Sequence, residues 1–472
     1  MLDNYLGRHT KSGLINGIPM EPYGTGAEIR YRLPKATLGI IAINVVIYVI
    51  TSISNGLISI NTKWLYTGGF IPILLLQDIS NVYRIFTSMF LHADILHIFF
   101  NMYFLYIFGK AIENTIGSVR FLILYLISGI AATVFHTAFS MLQGPSALAI
   151  PAIGASGAIS GVLGAYLILY PGTSLTACWF FFLFPMCFTI NAAYYLLFWF
   201  ALQVIYGYAR LGASIAFFAH AGGFVAGIAV LPVVVDKTRH YIIKMRSVTG
   251  SIFDFIIYGT RRYFSGLPRT AKIILALLIA SLLIGAAYVS FDVTTKKPTG
   301  IYVAKADIEI PSLNMKYMDN VVLEIEKGVI NPTDIPTDET RILFNRLVGA
   351  NLLFNTKLAG KEVTIRNKEF TVKICNVRVP LMVKEFKGIY NKEGVLINGE
   401  GSIVTRVAEV TYVGGRCYAR LGSWIDYVFR IHVPTKTYIT EGIGLTSLIA
   451  LITSLSALYV SLRMDKELVI VG

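Results

Sequence analysis

The sequence predicts an α-helical protein that crosses a membrane several times and carries a mainly β domain between its last two spans. Of the 472 residues, 55% are hydrophobic and only 14% are charged, whereas soluble domains carry roughly 25% charged residues. Residues 293–440 differ from the rest because they are polar and contain alternating runs such as 361–373, KEVTIRNKEFTVK. Such alternation is typical of β-strands.

Eight apolar segments reach or approach the ~20 residues that a membrane-crossing helix needs. The first six form a block with short connections, residues 37–235. The seventh span, 273–291, and the eighth, 442–462, flank the polar region, so two helices would tether it. The eight predicted spans are 37–54, 86–109, 119–141, 154–170, 188–207, 214–235, 273–291 and 442–462.

The net charge of +14 is concentrated beside the spans. Basic residues are dense in the N-terminal segment, 1–36, and in a linker, 236–272, and basic flanks favour the cytoplasmic side. With six spans between them, both segments can be cytoplasmic, which places 292–441 outside and a short tail, 463–472, inside. The linker's basic residues are Lys237, Arg239, Lys244, Arg246, Arg261, Arg262, Arg269 and Lys272.

These features predict an integral protein of the cell membrane with both termini in the cytoplasm. No apolar run typical of a signal peptide is present in residues 1–36. Membrane topology and attraction to anionic lipid account for the high pI, so the lipid bilayer is expected as a partner and nucleic acid is not.

The four cysteines form no CxxC pair and no Cys/His spacing suited to zinc, so no metal site is expected. Cys375 and Cys417 lie in the region predicted to be outside the cytoplasm, where they could form a disulfide. Cys178 and Cys187 look like buried apolar residues.

The second span contains two polar residues four positions apart, His97 and Asn101. This spacing puts both side chains on one face of a helix. Two such donors would suit an oxyanion hole, which needs preorganised hydrogen-bond donors where negative charge develops. They would equally suit interhelical hydrogen bonds that hold a bundle together, and the motif alone leaves both interpretations open.

The fourth span begins with a serine between glycines, in the motif Gly154-Ala155-Ser156-Gly157. Gly144, Pro145 and Pro151 make the preceding chain irregular, and the apolar stretch is short, so Ser156 should lie below the membrane surface. Irregular backbone at that depth is tolerated where it is buried in protein or lines a water-filled cavity, which hydrolysis would require. Taken alone, the motif is better explained as a small-residue packing patch.

The sixth span carries His220 beside glycines spaced like those that follow Ser156. Small residues at this spacing let two helices approach closely, which could bring the serine hydroxyl within reach of the imidazole. A hydroxyl needs such a base to become a nucleophile. No acid obviously completes a triad, so a Ser–His dyad is expected. The two glycine pairs are Gly157 with Gly161, and Gly223 with Gly227.

Together these motifs resemble those of the rhomboid family of intramembrane serine proteases, over residues 37–235. The resemblance implies that Ser156 is the nucleophile and His220 the base. It implies that His97 and Asn101 form the oxyanion hole with the Ser156 backbone N–H. The residues implied to support the site are His92, Arg84, Glu113, Gly154, Gly157, Gly161, Gly223 and Gly227.

One departure from the family pattern concerns the surroundings of the expected base. Many members have an aromatic residue four positions after the nucleophile, packed against the catalytic histidine, where this chain has Ser160. The dyad would then be held differently, or another aromatic residue would fill the gap. His136 in the third span matches no catalytic element, and we expect it to make a structural hydrogen bond.

The resemblance implies a six-helix core and an endopeptidase that cleaves transmembrane segments of other membrane proteins, without a metal or organic cofactor. Its active site would open to the extracytoplasmic side. One alternative is a catalytically inactive rhomboid-like protein that binds transmembrane helices as a chaperone or quality-control factor. Another is a transporter with a histidine proton relay, but neither acidic partners within the spans nor repeated halves are visible. Residues 292–441 have no recognised counterpart, and we expect them to recruit substrates or a partner.

Overall fold

Seven helices in the described part of the chain are long and apolar enough to cross a membrane. The computed structural model describes residues 22–23, 33–143, 145–181, 184–210, 216–244, 266–295, 300–326, 329–333, 337–413, 416–433 and 437–470. Most of the predicted N-terminal segment and the middle of the predicted basic linker lie outside the described residues.

Helices occur at each of the eight predicted spans. The main helices are α1 (Lys35–Ser52), α2 (Ile95–Ile116), α3 (Ser118–Ser140), α4 (Ser156–Leu169), α5 (Ala192–Ala209), α6 (Phe217–Val234), α7 (Arg269–Thr295), α8 (Asp338–Gly349) and α9 (Thr440–Leu468). All but α8 belong to the helical bundle. Short helices in the loop between α1 and α2 are Thr62–Gly68, Pro72–Gln77 and Tyr83–Thr87.

Two predicted span boundaries were wrong because polar side chains cap the helices later in the chain. The second span begins at Ile95 rather than near residue 86, since the Asp94 carboxylate accepts a hydrogen bond from the His97 N–H at 2.8 Å. The fifth begins at Ala192 rather than residue 188, since the Asn191 side chain accepts from the Ala193 N–H at 3.0 Å.

A β-hairpin that the sequence analysis did not predict precedes α5. Its strands β2 (Ser174–Phe181) and β3 (Phe184–Asn191) pair antiparallel, and β1 (Pro22–Tyr23) pairs with β2. The expectation that Cys187 is a buried apolar residue was wrong, because it lies exposed on this hairpin and is disulfide-bonded. The side chain of Cys178, its neighbour across the hairpin, lies outside the described residues.

The short helix α4 lies at the centre of the bundle, with residues 157–169 all buried. Its 14 residues span only about 21 Å, less than the ~30 Å hydrocarbon core of a bilayer. The Ile470 N–H donates to the Leu169 carbonyl at 2.8 Å, which fixes the end of α4 far from the β domain. Its other end, at Ser156, therefore lies below the surface that faces the β domain.

The buried Glu113 joins the first three helices. Its carboxylate accepts hydrogen bonds from the backbone N–H groups of Ala36 and Thr37, at 2.9 and 2.8 Å, in the first turn of α1. It also accepts from the Ser118 hydroxyl at 2.6 Å, at the start of α3. First-turn N–H groups have no partner within their own helix, so the carboxylate satisfies donors that would otherwise be unpaired in the membrane.

The last two membrane helices pack tightly on the core. Helix α9 contacts α3, α6 and α7 through a stripe of buried small residues, which permits close approach of helices. This stripe consists of Ser447, Ala450, Ser454, Ala457 and Ser461.

Part of the predicted tail, 463–472, packs on the helical bundle. Helix α9 continues to Leu468, beyond the predicted end at residue 462. The buried Asp465 pairs with Lys272 at 2.8 Å and accepts from the Leu267 N–H at 3.0 Å. Since Lys272 lies in α7, the predicted linker also ends earlier than expected, before Arg269. This buried ion pair accounts for both corrections.

Between α7 and α9 lies the mainly β domain that the sequence predicted. Its antiparallel sheet has the order β6-β5-β4-β10-β9-β8-β7, with β11 beside β4. Helix α8 covers one face, and the core between them includes Leu343, Phe344, Leu347, Tyr427 and Phe429. The strands are β4 (Gly300–Ile310), β5 (Met315–Glu326), β6 (Val329–Thr333), β7 (Glu362–Ile374), β8 (Val377–Tyr390), β9 (Leu396–Val413), β10 (Arg416–His432) and β11 (Thr437–Tyr438).

A disulfide joins Cys375, in the turn between β7 and β8, to Cys417 on β10. The pairing that the sequence left open is therefore present in the structure. The Asn376 side chain also accepts from the Ala419 N–H at 2.8 Å, so this end of the sheet is cross-linked twice.

The β domain rests on two loops of the helical bundle through an apolar cluster. The cluster combines the α1–α2 loop, the α3–α4 loop, the ends of α7 and α9, and the sheet. Its buried members are Ile71, Ile73, Leu74, Leu148, Ala149, Val289, Val293, Val303, Val322, Ile439 and Ile443. Hydrogen bonds from Ser80, and then the nearby Lys305 ammonium on β4, lower the pKa of the Asp78 carboxyl in the first of these loops. The domain is thus packed against the core rather than merely tethered to it.

Candidate active site

A cavity of about 550 Å³ opens into the bundle below the β domain. Helices α2, α3, α4 and α6 line it, together with the loops that enter α4 and α6. Polar side chains from four helices meet there, which are His97, Asn101, His136, Ser156 and His220. Among the described residues, no group of three or more His, Cys, Asp or Glu side chains could hold a metal ion.

The structure brings together Ser156 and His220. The Ser156 Oγ lies 2.7 Å from the His220 Nε2. Ser156 is the first residue of α4. Gly154, two residues earlier, has φ 120°, a backbone conformation that residues other than glycine rarely adopt. A Cβ at Gly154 would also lie 2.8 Å from the His97 Nε2. This glycine therefore lets the chain turn sharply beside the site and present the serine to the cavity.

The glycines of α4 and α6 make the short Ser156–His220 distance attainable. A Cβ added to Gly223 would overlap the Gly157 carbonyl, and one added to Gly227 would overlap the Gly161 carbonyl. The two backbones therefore touch along this stripe, as small residues in membrane helices allow. Space at Gly157 is limited on its other side by Ala132 of α3.

The other ring nitrogen of His220 has a partner that the sequence analysis missed. The Gln203 Oε1, on α5, lies 2.9 Å from the His220 Nδ1. The Trp199 ring, one turn earlier on α5, lies 6.2 Å from the imidazole with an angle of 33° between the planes. Both residues face α6 at the i and i+4 positions of one helix face, but the sequence could not show which face of α5 meets His220.

Ser160 does not replace the missing aromatic contact. Its hydroxyl donates to the Ser156 carbonyl at 2.6 Å, within α4. Trp199 supplies an aromatic ring from α5 instead. The aromatic ring beside His220 therefore comes from α5 rather than from α4.

His97 faces the cavity as a hydrogen-bond donor. Its Nδ1 accepts from the Ala93 backbone N–H at 3.3 Å, so a neutral imidazole carries its proton on Nε2. That nitrogen lies beside Gly154, in the turn that leads into Ser156. The hydrogen bond to Ala93 thereby directs one N–H toward the loop of the serine.

Asn101 lines the cavity one turn below His97 and is largely buried. Its Nδ2 donates to the His97 carbonyl at 2.8 Å, within α2. An amide NH₂ group has two N–H bonds, so one hydrogen remains for a group in the cavity. The two residues therefore share the face of α2 that the spacing predicted.

His92 and Arg84 hold the loops around the site. The His92 Nε2 accepts from the Ala155 N–H at 3.4 Å, and its ring packs edge-on against His97 with centroids 5.1 Å apart. Burial lowers the pKa of His92 to about 3, so the ring is neutral at neutral pH, and the hydrogen bond from Ala155 identifies Nε2 as its unprotonated nitrogen. The Arg84 guanidinium donates to the Tyr66 and Gly69 carbonyls at 2.7 and 3.0 Å, closing the α1–α2 loop.

His136 lies on the cavity wall and makes a hydrogen bond with the backbone of Ile150, in line with the structural hydrogen bond that the sequence suggested. Its Nε2 has no hydrogen-bond partner within the described part of the chain. The ring packs edge-on against Phe70, with centroids 6.4 Å apart. The ring therefore contributes a polar surface to the cavity.

A serine hydroxyl, an imidazole acceptor and directed N–H donors around one cavity are the components of acyl-transfer chemistry. A family model described as the rhomboid domain matches residues 80–237, which include all of these groups. The chain carries a rhomboid domain. This domain covers a third of the sequence, so α1, α7, α9 and the β domain lie outside the match.

Curated proteins are similar to part of this chain. The rhomboid protease GluP of Bacillus subtilis (strain 168) is 35% identical over 134 residues, which are 28% of this chain and 24% of that protein. RHOMBOID-like protein 6, mitochondrial, of Arabidopsis thaliana is 32% identical over 148 residues, 31% of this chain and 42% of the relative. Inactive rhomboid protein 1 of Drosophila melanogaster is 31% identical over 104 residues, which are 21% of this chain and 7% of that protein. The chain spans less than half the length of each of these three relatives.

Substitution of Gly227 tests the role of the α4–α6 contact. We expect Gly227→Ala to destabilise the protein by about 1–3 kcal/mol, because the added methyl group must push two packed backbones apart. Gly39→Ala is the matched control, since a Cβ at Gly39 in α1 meets no atom within 4 Å and alanine favours helix. Thermal unfolding in detergent should show a lower midpoint for Gly227→Ala only. Equal midpoints for the two variants would contradict this role.

Proposed function

We propose that the protein is an intramembrane serine endopeptidase that cleaves transmembrane segments of other membrane proteins. The observation that carries the proposal is the 2.7 Å separation of the Ser156 Oγ and the His220 Nε2 inside a membrane-helix bundle. The close contact between the glycines of α4 and α6, together with the turn at Gly154, makes this short distance possible. A protein that only bound transmembrane helices would need neither the serine–imidazole contact nor the directed N–H donors.

In the proposed reaction, the Ser156 Oγ attacks the scissile carbonyl carbon while the His220 Nε2 takes its proton. The carbonyl oxygen becomes an oxyanion, which the His97 Nε2–H, the Asn101 amide and the Ser156 backbone N–H stabilise. The Ser156 N–H is available because first-turn N–H groups have no acceptor in their own helix.

The tetrahedral intermediate then collapses to an acyl-enzyme. The C–N bond breaks as the imidazolium of His220 gives its proton to the leaving amine. Water next attacks the ester carbonyl, with His220 again accepting a proton. This step releases the new carboxyl terminus and restores the Ser156 hydroxyl. The chemistry needs no metal or organic cofactor.

The position of Ser156 defines the class of substrate in this proposal. A peptide must reach a cavity that lies below the surface facing the β domain, so it must enter within the membrane. Carbonyl groups in a helix are hydrogen-bonded along the chain, so the segment at the cut must unwind before the serine can attack. We further propose that this side is extracytoplasmic, since basic residues such as Arg239 and Lys244 flank the opposite side.

Purified protein in liposomes should cleave a transmembrane substrate into two fragments whose masses sum to that of the substrate plus one water. We expect Ser156→Ala and His220→Ala to reduce the cleavage rate roughly 10⁴-fold or more. Asn101→Ala should reduce it on the order of 10²-fold, the cost of one oxyanion donor. Mass spectrometry of the products measures each rate.

Asn114→Ala is the matched control for Asn101. Asn114 lies on the same helix and donates to the carbonyl four residues earlier in the same way, at 2.8 Å, but far from the cavity. Its cleavage rate should equal that of the wild type. Unchanged cleavage in Ser156→Ala would exclude the proposed nucleophile, and no cleavage by folded wild-type protein would favour an inactive helix-binding protein.

We also propose that the domain formed by residues 292–441 recruits substrates through their segments outside the membrane. Two observations support this. The domain packs directly on the α1–α2 and α3–α4 loops, and both loops contribute to the cavity, through Phe70 and Ala147 for example. A chain that emerges from the cavity on this side must therefore pass close to the sheet.

Two substrates with one transmembrane segment test recruitment, one with and one without its segment on the domain side. We expect the wild type to prefer the longer substrate by about tenfold in kcat/KM, equivalent to ~1.4 kcal/mol. A variant with residues 300–438 replaced by a short linker should cleave both at the rate of the shorter one. A preference that survives the deletion, or loss of cleavage of both substrates, would contradict recruitment.

A further inference from the structure

We propose that Gln203 is a positioning residue for His220 and that α7 keeps it in place by holding α5. The inference rests on the proposed protease function and concerns how the base is oriented. It starts from the 2.9 Å contact between the Gln203 Oε1 and the His220 Nδ1, on the side of the ring away from Ser156.

The orientation of the Gln203 amide follows from its second contact. Its Nε2 donates to the Trp199 carbonyl at 3.2 Å, one turn earlier on α5. If the amide were rotated by 180°, its oxygen would face the Trp199 carbonyl oxygen, and two acceptors cannot form a hydrogen bond with each other. The amide nitrogen is thus committed to Trp199, and the amide oxygen faces His220.

This orientation determines the tautomer of the base. The Gln203 oxygen can only accept, so the His220 Nδ1 must carry the proton in the neutral imidazole. Nε2 is then left with a lone pair, directed at the Ser156 hydroxyl. In the other tautomer, Nε2 would carry a proton and could not act as a base, and Nδ1 would face an oxygen without a hydrogen between them.

Gln203 belongs to α5, and hydrogen bonds to α7 hold this helix in place. The Tyr208 hydroxyl, near the end of α5, donates to the Ser281 carbonyl of α7 at 2.6 Å. At the other end of α5, the Tyr194 hydroxyl lies 2.8 Å from the Thr270 Oγ1 of α7. Helix α5 is therefore joined to α7 on both sides of Gln203.

Tyr208 connects α7 to a residue near His220. Its hydroxyl occupies the space that a Cβ at Gly285 of α7 would need. Its ring packs edge-on against Phe218, with centroids 5.1 Å apart, and Phe218 is two residues before His220 on α6. Helix α7 lies outside residues 80–237, so an accessory helix here takes part in orienting a group within the rhomboid domain.

Nitrogen-15 NMR of the histidines in detergent micelles tests the tautomer without requiring activity. The His220 resonances are identified by their loss in His220→Ala. We expect the Nδ1–H form in the wild type, a mixture of both forms in Gln203→Leu, and recovery of the Nδ1–H form in Gln203→Glu, which keeps an acceptor oxygen. An unchanged tautomer in Gln203→Leu overturns the inference, whether or not the protein proves to be a protease.

Cleavage kinetics give the second readout. Loss of this hydrogen bond should lower kcat roughly 5- to 10-fold in Gln203→Leu with little change in KM, and Gln203→Glu should recover most of it. Phe198→Leu is the control, since this residue of α5 is 65% exposed on the surface of the bundle. Equal losses in the Leu and Glu variants would show a packing role and overturn the assignment.

Tyr208→Phe tests the contribution of α7. It removes the hydrogen bond to Ser281 but keeps the ring, and we expect kcat to fall about 2- to 5-fold together with a partial shift of the His220 tautomer. Tyr459→Phe, on the exposed face of α9, is the matched control and should behave as the wild type. A Tyr208→Phe variant with wild-type kcat and tautomer would overturn the part assigned to α7.

Discussion

The close backbone contact between α4 and α6 is the constraint on which the rest of the structure depends. Gly223 and Gly227 lie against the carbonyls of Gly157 and Gly161, with no space for a side chain between them. Because the two helices touch, groups at their ends on the domain side come within 2.7 Å of one another. Burial of α4 at the centre of the bundle, and its anchoring at Leu169 by the C-terminal segment, fix the depth of the serine.

Other helices then complete the environment of this pair, each through a different kind of contact. On helix α2, the His97 Nδ1 accepts a hydrogen bond from the Ala93 backbone N–H, which leaves the proton of the ring on Nε2, facing the cavity. Helix α5 supplies an acceptor for the imidazole and an aromatic ring beside it. The α7–α9 pair and the β domain pack outside this arrangement, on α5 and on the loops that border the cavity. The helices α7 and α9 and the β domain thus pack directly against the helices and loops of the core.

The sequence predicted the eight apolar helical segments, the mainly β domain, and four polar residues that line the cavity, Ser156, His220, His97 and Asn101. Each leaves a local signal: an apolar run, an alternating run, or a polar residue in a membrane span. It could not predict Gln203 and Trp199, since a residue's partner across two helices depends on helix rotation. The β2–β3 hairpin was missed because its apolar strands resemble the start of a span. The burial of Asp465 and of residues 468–470 was missed because Asp465 is polar and only its pairing with Lys272 explains its position.

The central claim is that His220 activates Ser156 as a nucleophile, and covalent labelling tests it most directly. A fluorophosphonate reacts with activated serine hydroxyls, and peptide mass spectrometry locates the modified residue. The account predicts one adduct, on Ser156, in the wild type, and none in folded His220→Ala or Ser156→Ala protein. An adduct that persists without His220, a different modified residue, or an unlabelled but folded wild type would contradict it.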